Sequence, residues 1–306
     1  MTPPAAQPLR DAPLRGVVLM LLASASFATM NTFGRGLSRA GVPWTMVAFA
    51  RAITGLIATL AFARSRGASL KITKPRIMWL RSIAGSTGIL MTFYSLAHLP
   101  LSDATALLNT TPLWLALLAW FTLREAPGIG VVVAIAMGAS GIALIERPSL
   151  AVGDLAGLVA LSTGLTGALA MMSLRRLADE TPEAVVVHFS AVSVVFTGVA
   201  MTISFAHRGA YLPSVSQAIG LLATGLCATI GQLLMTRAYA LDRAARVGAT
   251  GWMQVVSALV LDRVVMGRTP PVSTVGGIAC VVSAGVLLVF DAQREQAAKR
   301  KAAPSK

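Results

Sequence analysis

The chain has 306 residues, of which 55% are hydrophobic and only 12% charged, and its mean hydropathy is +0.72. A soluble domain carries about a quarter of its residues as charges, so this composition excludes a water-soluble globule and places the chain in lipid. The net charge of +14 comes from Lys and Arg in the connections and the C-terminal tail. No single amphipathic or aromatic-interleaved surface gathers them, which argues against nucleic acid as a partner.

A helix that crosses about 30 Å of hydrocarbon needs ~20 residues. Taken in chain order, the runs that serve are 14–33, 44–63, 77–97, 104–123, 128–145, 155–174, 184–206, 215–239, 247–266 and 272–290. The expectation is an all-α integral membrane protein with ten transmembrane helices. Breaker residues mark the connections, as in Ala40-Gly41-Val42-Pro43, Thr181-Pro182 and Thr269-Pro270-Pro271. The first run follows Arg10 and Arg15 and contains Ala23-Ser24-Ala25-Ser26, the pattern of a cleaved leader, but its apolar stretch continues past those residues and reads as a span. Cys227 and Cys280 fall inside apolar runs and act as small hydrophobes, with no disulfide framework indicated.

The chain repeats itself. Residues 93–126 lie without gaps on residues 236–269, pairing Ala97 with Ala240, Ala106 with Ala249 and Pro127 with Pro270. Residues 14–147 and 148–290 then form two five-helix halves, flanked by an N-terminal tail over 1–13 and a basic tail over 291–306. With the N-terminus inside, 17 Lys and Arg fall in inner segments and 6 in outer ones, so both termini are expected in the cytoplasm of a cell with the chain in its inner membrane. The basic tail would meet anionic lipid. Five spans per half is odd, so the second half enters from the opposite side and the repeat is inverted. Internal inverted repeats in membranes usually mean transport, with the site between the halves near the midplane.

Several short motifs carry a family resemblance. They are Pro43-Trp44-Thr45-Met46-Val47-Ala48-Phe49-Ala50-Arg51, the segment from Tyr94 to Ala97, Thr111-Pro112-Leu113 within a span, Arg124-Glu125 after the fourth span, and Gly153-Asp154-Leu155 opening the second half. In this order and spacing the chain resembles the drug/metabolite transporter superfamily, EamA type, and within it the bacterial aromatic amino-acid exporters. The resemblance implies a ten-helix carrier. The chain departs from the family where an early Trp-Gly pair is replaced by Ala25-Ser26, and Pro112 corresponds to Val255 in the second copy.

Polar and aromatic residues deep in apolar runs are the candidate substrate ligands. Asn109 and Trp252 are repeat equivalents, each about six residues from its membrane surface and therefore roughly 9 Å deep. Tyr94, His98, His188, Gln232, Tyr239 and Gln254 are further polar candidates, for each of which a helix-to-helix hydrogen bond is the competing role. Trp114 lies mid-span, whereas Trp44, Trp79 and Trp120 sit near interfaces and read as anchors. Arg51 is several residues inside the second span. It either meets a substrate carboxylate or bonds carbonyls of its own bundle, and its place in a motif general to the resembled family favours the structural role. Glycines of the fifth and tenth spans, among them Gly138, Gly141, Gly276 and Gly277, read as packing seams.

All twelve acids lie in tails, loops or span ends. Proton-coupled carriers generally place a carboxylate in the membrane, so a gradient-driven route is expected, with His188 or His98 as the remaining protonatable groups. No phosphate loop, Cys/His metal cluster or hydrolase order of Ser, His and Asp occurs, so neither enzyme activity, cofactor nor metal is expected. Export of small metabolites, most of all aromatic or other apolar amino acids, is the expected function, with alternating access as its mechanism. A lipid-handling, flippase-like protein of the same fold is the alternative.

Overall fold

The computed structural model describes residues 12–98, 107–123, 127–146, 155–266 and 272–302. Every regular element among them is a helix. We number these α1 (Pro13–Arg39), α2 (Trp44–Ser65), α3 (Pro75–His98), α4 (Thr111–Leu123), α5 (Ile129–Glu146), α6 (Leu155–Arg176), α7 (Pro182–Arg208), α8 (Val215–Leu241), α9 (Ala244–Thr250), α10 (Met253–Met266) and α11 (Val272–Ala302). Their starts are written in the sequence. Proline, whose missing N–H costs nothing in a first turn, opens α1, α3 and α7. The Thr181 hydroxyl caps α7 by accepting from the Ala184 N–H at 3.3 Å, and Ser214 with Gln217 forms a reciprocal capping box on α8. Gly209 ends α7 at φ +83°, a conformation that disfavours side chains.

Seven segments are long and apolar enough to cross a membrane: α1, α2, α6, α7, α8, an 18-residue run through α9 and α10, and Val275–Glu295 of α11. α3 is 24 residues long but more polar, and α4 and α5 are shorter apolar helices. These segments fall in the order of the ten expected spans and are compatible with ten crossings. Three expectations need amendment. The fourth span is interrupted at Asn109-Thr110. The ninth span is not one helix but is interrupted at Gly251-Trp252, and the last helix does not stop near Phe290 but runs on to Ala302.

Helices before residue 147 pair mainly with helices after residue 154 rather than with one another. α1 packs along α8 and α3 along α6; α1 also meets α10 as α4 meets α6; α2 lies on α7, α2 on α8 and α3 on α7; α5 lies on α11. Counted within the two expected five-helix halves, each first helix thus meets the third of the other, second meets second and fifth meets fifth. The main core fills the space among α1, α4, α6 and α8 with Met20, Phe27, Leu115, Met172, Met235 and Tyr239.

Connections cluster at two ends. At one, the Thr73 and Lys74 N–H groups and the Thr73 hydroxyl donate to Glu180 Oε1 at 2.8, 2.9 and 2.6 Å. Arg176 reaches the Thr122 carbonyl there, Arg175 the Ala240 carbonyl, and the Ala12 N–H the Leu241 carbonyl. At the other end, Gln217 Nε2 donates to the Ala40 carbonyl at 3.1 Å. Segments read from their basic residues as cytoplasmic therefore share the first end.

Candidate functional site

The interruption before α4 and the one between α9 and α10 fall at equivalent places in the repeat. Residues 107–108 are helical, Asn109-Thr110 turn, and α4 starts at Thr111; likewise α9 ends at Thr250, Gly251-Trp252 turn, and α10 starts at Met253. The chemistry that makes each break differs. Pro112 cannot donate to the Leu108 carbonyl, and the Thr111 hydroxyl does so instead at 3.0 Å. The second copy has Val255 there, and the turn depends on Gly251. A Cβ on Gly251 would stand 2.9 Å from the Gly248 carbonyl oxygen and 3.0 Å from Met20 Cε.

The two breaks touch. Trp252 Nε1 donates to the Asn109 carbonyl at 2.9 Å. The Trp252 side chain is 3% exposed, wedged among Ile142 and Val281 with its six-membered ring against Gly138, where a Cβ would collide with it. Trp114, on α4, packs against Gly164 of α6 and the main core. The structure therefore brings Asn109 and Trp252 together and sets Trp114 on a separate contact. Gln254, half-buried, begins α10 with its N–H on the Gly251 carbonyl. Tyr239 is buried close to Gly248.

A second polar group lies among α2, α3, α7 and α8. Arg81 is 1% exposed; its Nη2 donates to Gln232 Oε1 at 3.2 Å and its guanidinium lies over the Phe189 ring at 4.2 Å. One turn on, Gly85 leaves room for Nη1, which any side chain there would strike. Beside it, Ser82 Oγ and His188 Nδ1 are 2.7 Å apart, Trp79 meets His188 edge-on, and the Ser86 and Ser193 hydroxyls pair at 2.9 Å. Arg51 of α2 is within Coulombic range of Arg81, as is Tyr239. Thus His188 and Gln232 share one polar cluster, apart from the Asn109 and Trp252 contact. Tyr94 is exposed on α3, and the His98 side chain lies outside the described residues. Sequence reasoning does not single out Arg81 or Phe189. The available signal is an arginine inside an apolar run with a glycine four residues later.

An all-helical bundle of long apolar segments, with interrupted helices meeting inside it, defines a multi-pass membrane protein with the build of a carrier. Residues 14–147 match the EamA-like transporter family. It is 26% identical over 276 residues to the pseudopaline exporter CntI of Pseudomonas aeruginosa, covering 89% of this chain and 95% of the relative. With the riboflavin transporter of Rhizobium johnstonii it shares 25% identity over 285 residues, 92% of this chain and 93% of that one. A solved crystal structure superposes with a TM-score of 0.77 over 91% of this chain and 98% of its own at 16% identity, a likeness of fold. The chain is a multi-pass membrane transporter.

Proposed function

We propose that this transporter exports small metabolites across the inner membrane by alternating access of two inverted five-helix halves, with aromatic or other apolar amino acids as its substrates. The observation that carries the reading is the hydrogen bond between Trp252 and Asn109, which joins helix interruptions at matching positions of the two halves. Interrupted helices at a repeat interface expose backbone polar groups where a solute can use them, and such an interface is where one half rocks against the other. The named relatives carry solutes of differing chemistry, which supports a small organic cargo. The aromatic preference rests on Trp114, Trp252 and Phe189, with Met172 and Met235 as adaptable apolar surface.

Acidic side chains support a gradient-driven route. Glu180, Glu183 and Asp242 stand at helix ends or turns, and Asp291 and Glu295 of α11 pair with Arg246 at the start of α9, so none of the five is positioned to relay a proton through the middle of the bundle. The proposed orientation has both termini in the cytoplasm, and reporter fusions after Arg66 and Arg294 should read cytoplasmic while one after Arg147 reads periplasmic.

Counterflow in proteoliposomes of the full chain tests the function. Labelled tryptophan, phenylalanine and leucine should exchange against their unlabelled forms without an imposed pH difference. The amino-acid reading fails if none exchanges, and the gradient-driven reading fails if exchange requires a proton gradient. Scrambling of a labelled lipid without solute exchange would favour the lipid-handling reading instead.

A further inference from the structure

We propose that Arg81, backed by Arg51, Gln232 and Phe189, forms a subsite that takes the carboxylate of the transported solute. This rests on the reading of the chain as a solute carrier. A guanidinium has five N–H donors. At Arg81, Nη2 is engaged by Gln232, whereas Nε and Nη1, carrying three of those donors, are buried with no hydrogen-bond partner among the described residues. Burying a charged group with unused donors is unfavourable unless something completes the shell.

Among the described residues, nothing supplies that completion. The ion pairs among the described residues join Lys74 to Asp179, Arg237 to Glu183, Arg243 to Glu295, and Arg246 to Asp242, Asp291 and Glu295, and none of them includes Arg51 or Arg81. The Arg51 charge acts on Arg81 instead, a repulsion that a bound anion would offset. The helix of Arg51 closes here on the helices that carry Phe189 and Gln232: one turn after Arg51, Gly55 abuts the Ser190 and Thr229 hydroxyls at 3.1 and 3.5 Å from a built Cβ.

Shape and depth specify the ligand. A planar guanidinium matches a carboxylate by two parallel hydrogen bonds. The Phe189 ring covers one of its faces, so an incoming anion must lie in the guanidinium plane. Arg81 is six residues from the start of α3 and its side chain runs on toward Gly85, which sets the guanidinium roughly 10 to 15 Å inside at 1.5 Å per residue. That depth suits the charged end of a solute held between the halves rather than a headgroup at the surface.

Thermal unfolding of the purified full chain in detergent tests the subsite with sodium benzoate against neutral benzamide. Benzoate should raise the unfolding temperature saturably and benzamide should not. Arg81→Gln should weaken the benzoate effect by at least about tenfold, the scale of a lost buried charge-assisted contact. Should Arg81→Gln fail to fold, two further variants keep Arg81 in place: Gly85→Ala, whose methyl displaces Nη1, and Arg51→Gln; both should weaken benzoate severalfold. The proposal is overturned if benzamide matches benzoate, or if the benzoate effect survives in these variants. It also falls if chloride alone stabilises the chain and benzoate cannot displace it, which would mark a resident inorganic anion. Counterflow separates the two readings. Exchange of tryptophan and tryptophanamide at equal rates leaves the carrier and removes the subsite, whereas Arg81-dependent benzoate binding with no exchange of any solute removes the carrier reading.

Discussion

Truncating Trp252 removes a wedge, a donor and half of the contact between the two breaks. Trp252→Ala should lower stability by about 3 to 5 kcal/mol, the range for deleting a large buried aromatic, and should reduce tryptophan counterflow. Trp252→Phe keeps most of the wedge but removes the indole donor to the Asn109 carbonyl, an effect of about 0.5 to 1.5 kcal/mol. Thermal unfolding in detergent ranks the two, and an alanine variant as stable as the parent would contradict the packing described. The equivalence of Asn109 and Trp252 is legible in the sequence, because the ungapped repeat pairs them. That the indole turns onto Gly138 is not, since helical spacing gives a face and not the neighbour that face meets. Arg81 escapes for a related reason: an arginine near the start of a span reads as snorkelling to the surface, and only packing shows its side chain running inward along Gly85.

Between α5 and α11 the backbones approach so closely that a Cβ on Gly277 would lie 2.6 Å from the Gly141 carbonyl oxygen and 2.7 Å from Ile145 Cγ1. Its neighbour Gly276 has nothing within 4 Å of a built Cβ. Adjacent glycines therefore separate two effects. Gly277→Ala should cost at least about 1 to 3 kcal/mol through overpacking, while Gly276→Ala should be neutral or gain up to ~1 kcal/mol in helix propensity. Melting temperatures of the two variants check this, and equal values would deny the seam. Small residues made these helices readable as seams. The interruption at Gly251-Trp252 was hidden, because hydropathy continues through it and no proline marks it, unlike Pro112 in the first copy. The length of α11 was hidden too, since a polar tail gives no apolar period, and what holds it is a distant partner.

That partner is Arg246, 1% exposed at the start of α9. It pairs with Asp242 at 2.7 Å, Asp291 at 2.8 Å and Glu295 at 2.5 Å, tying the α8–α9 turn to the last helix at the end where the basic connections gather. Arg246→Gln takes the ion pair from the buried Asp242 carboxylate and should destabilise the whole molecule by about 3 to 5 kcal/mol. Removal of residues 291–306 should weaken it by the same route, leaving Arg246 with Asp242 alone. Unfolding of both variants in detergent measures this, and a truncated chain as stable as the parent would refute the tie. At this scale a proposed division into two halves can be read from the repeat. Their exchange of helices cannot, because sequence similarity between halves does not say whether each half packs on itself or on the other.

That exchange bears on how the protein is made. Among the described residues, α1 through α5 make few contacts with one another and find their partners in α6 through α11. A nascent chain that has delivered only its first five helices has almost nothing to assemble, and α5 must wait in the bilayer until the final helix, its main partner, leaves the ribosome. Assembly is thus postponed to the end of synthesis, and the first half spends that interval as separate helices dependent on lipid or on an insertion chaperone.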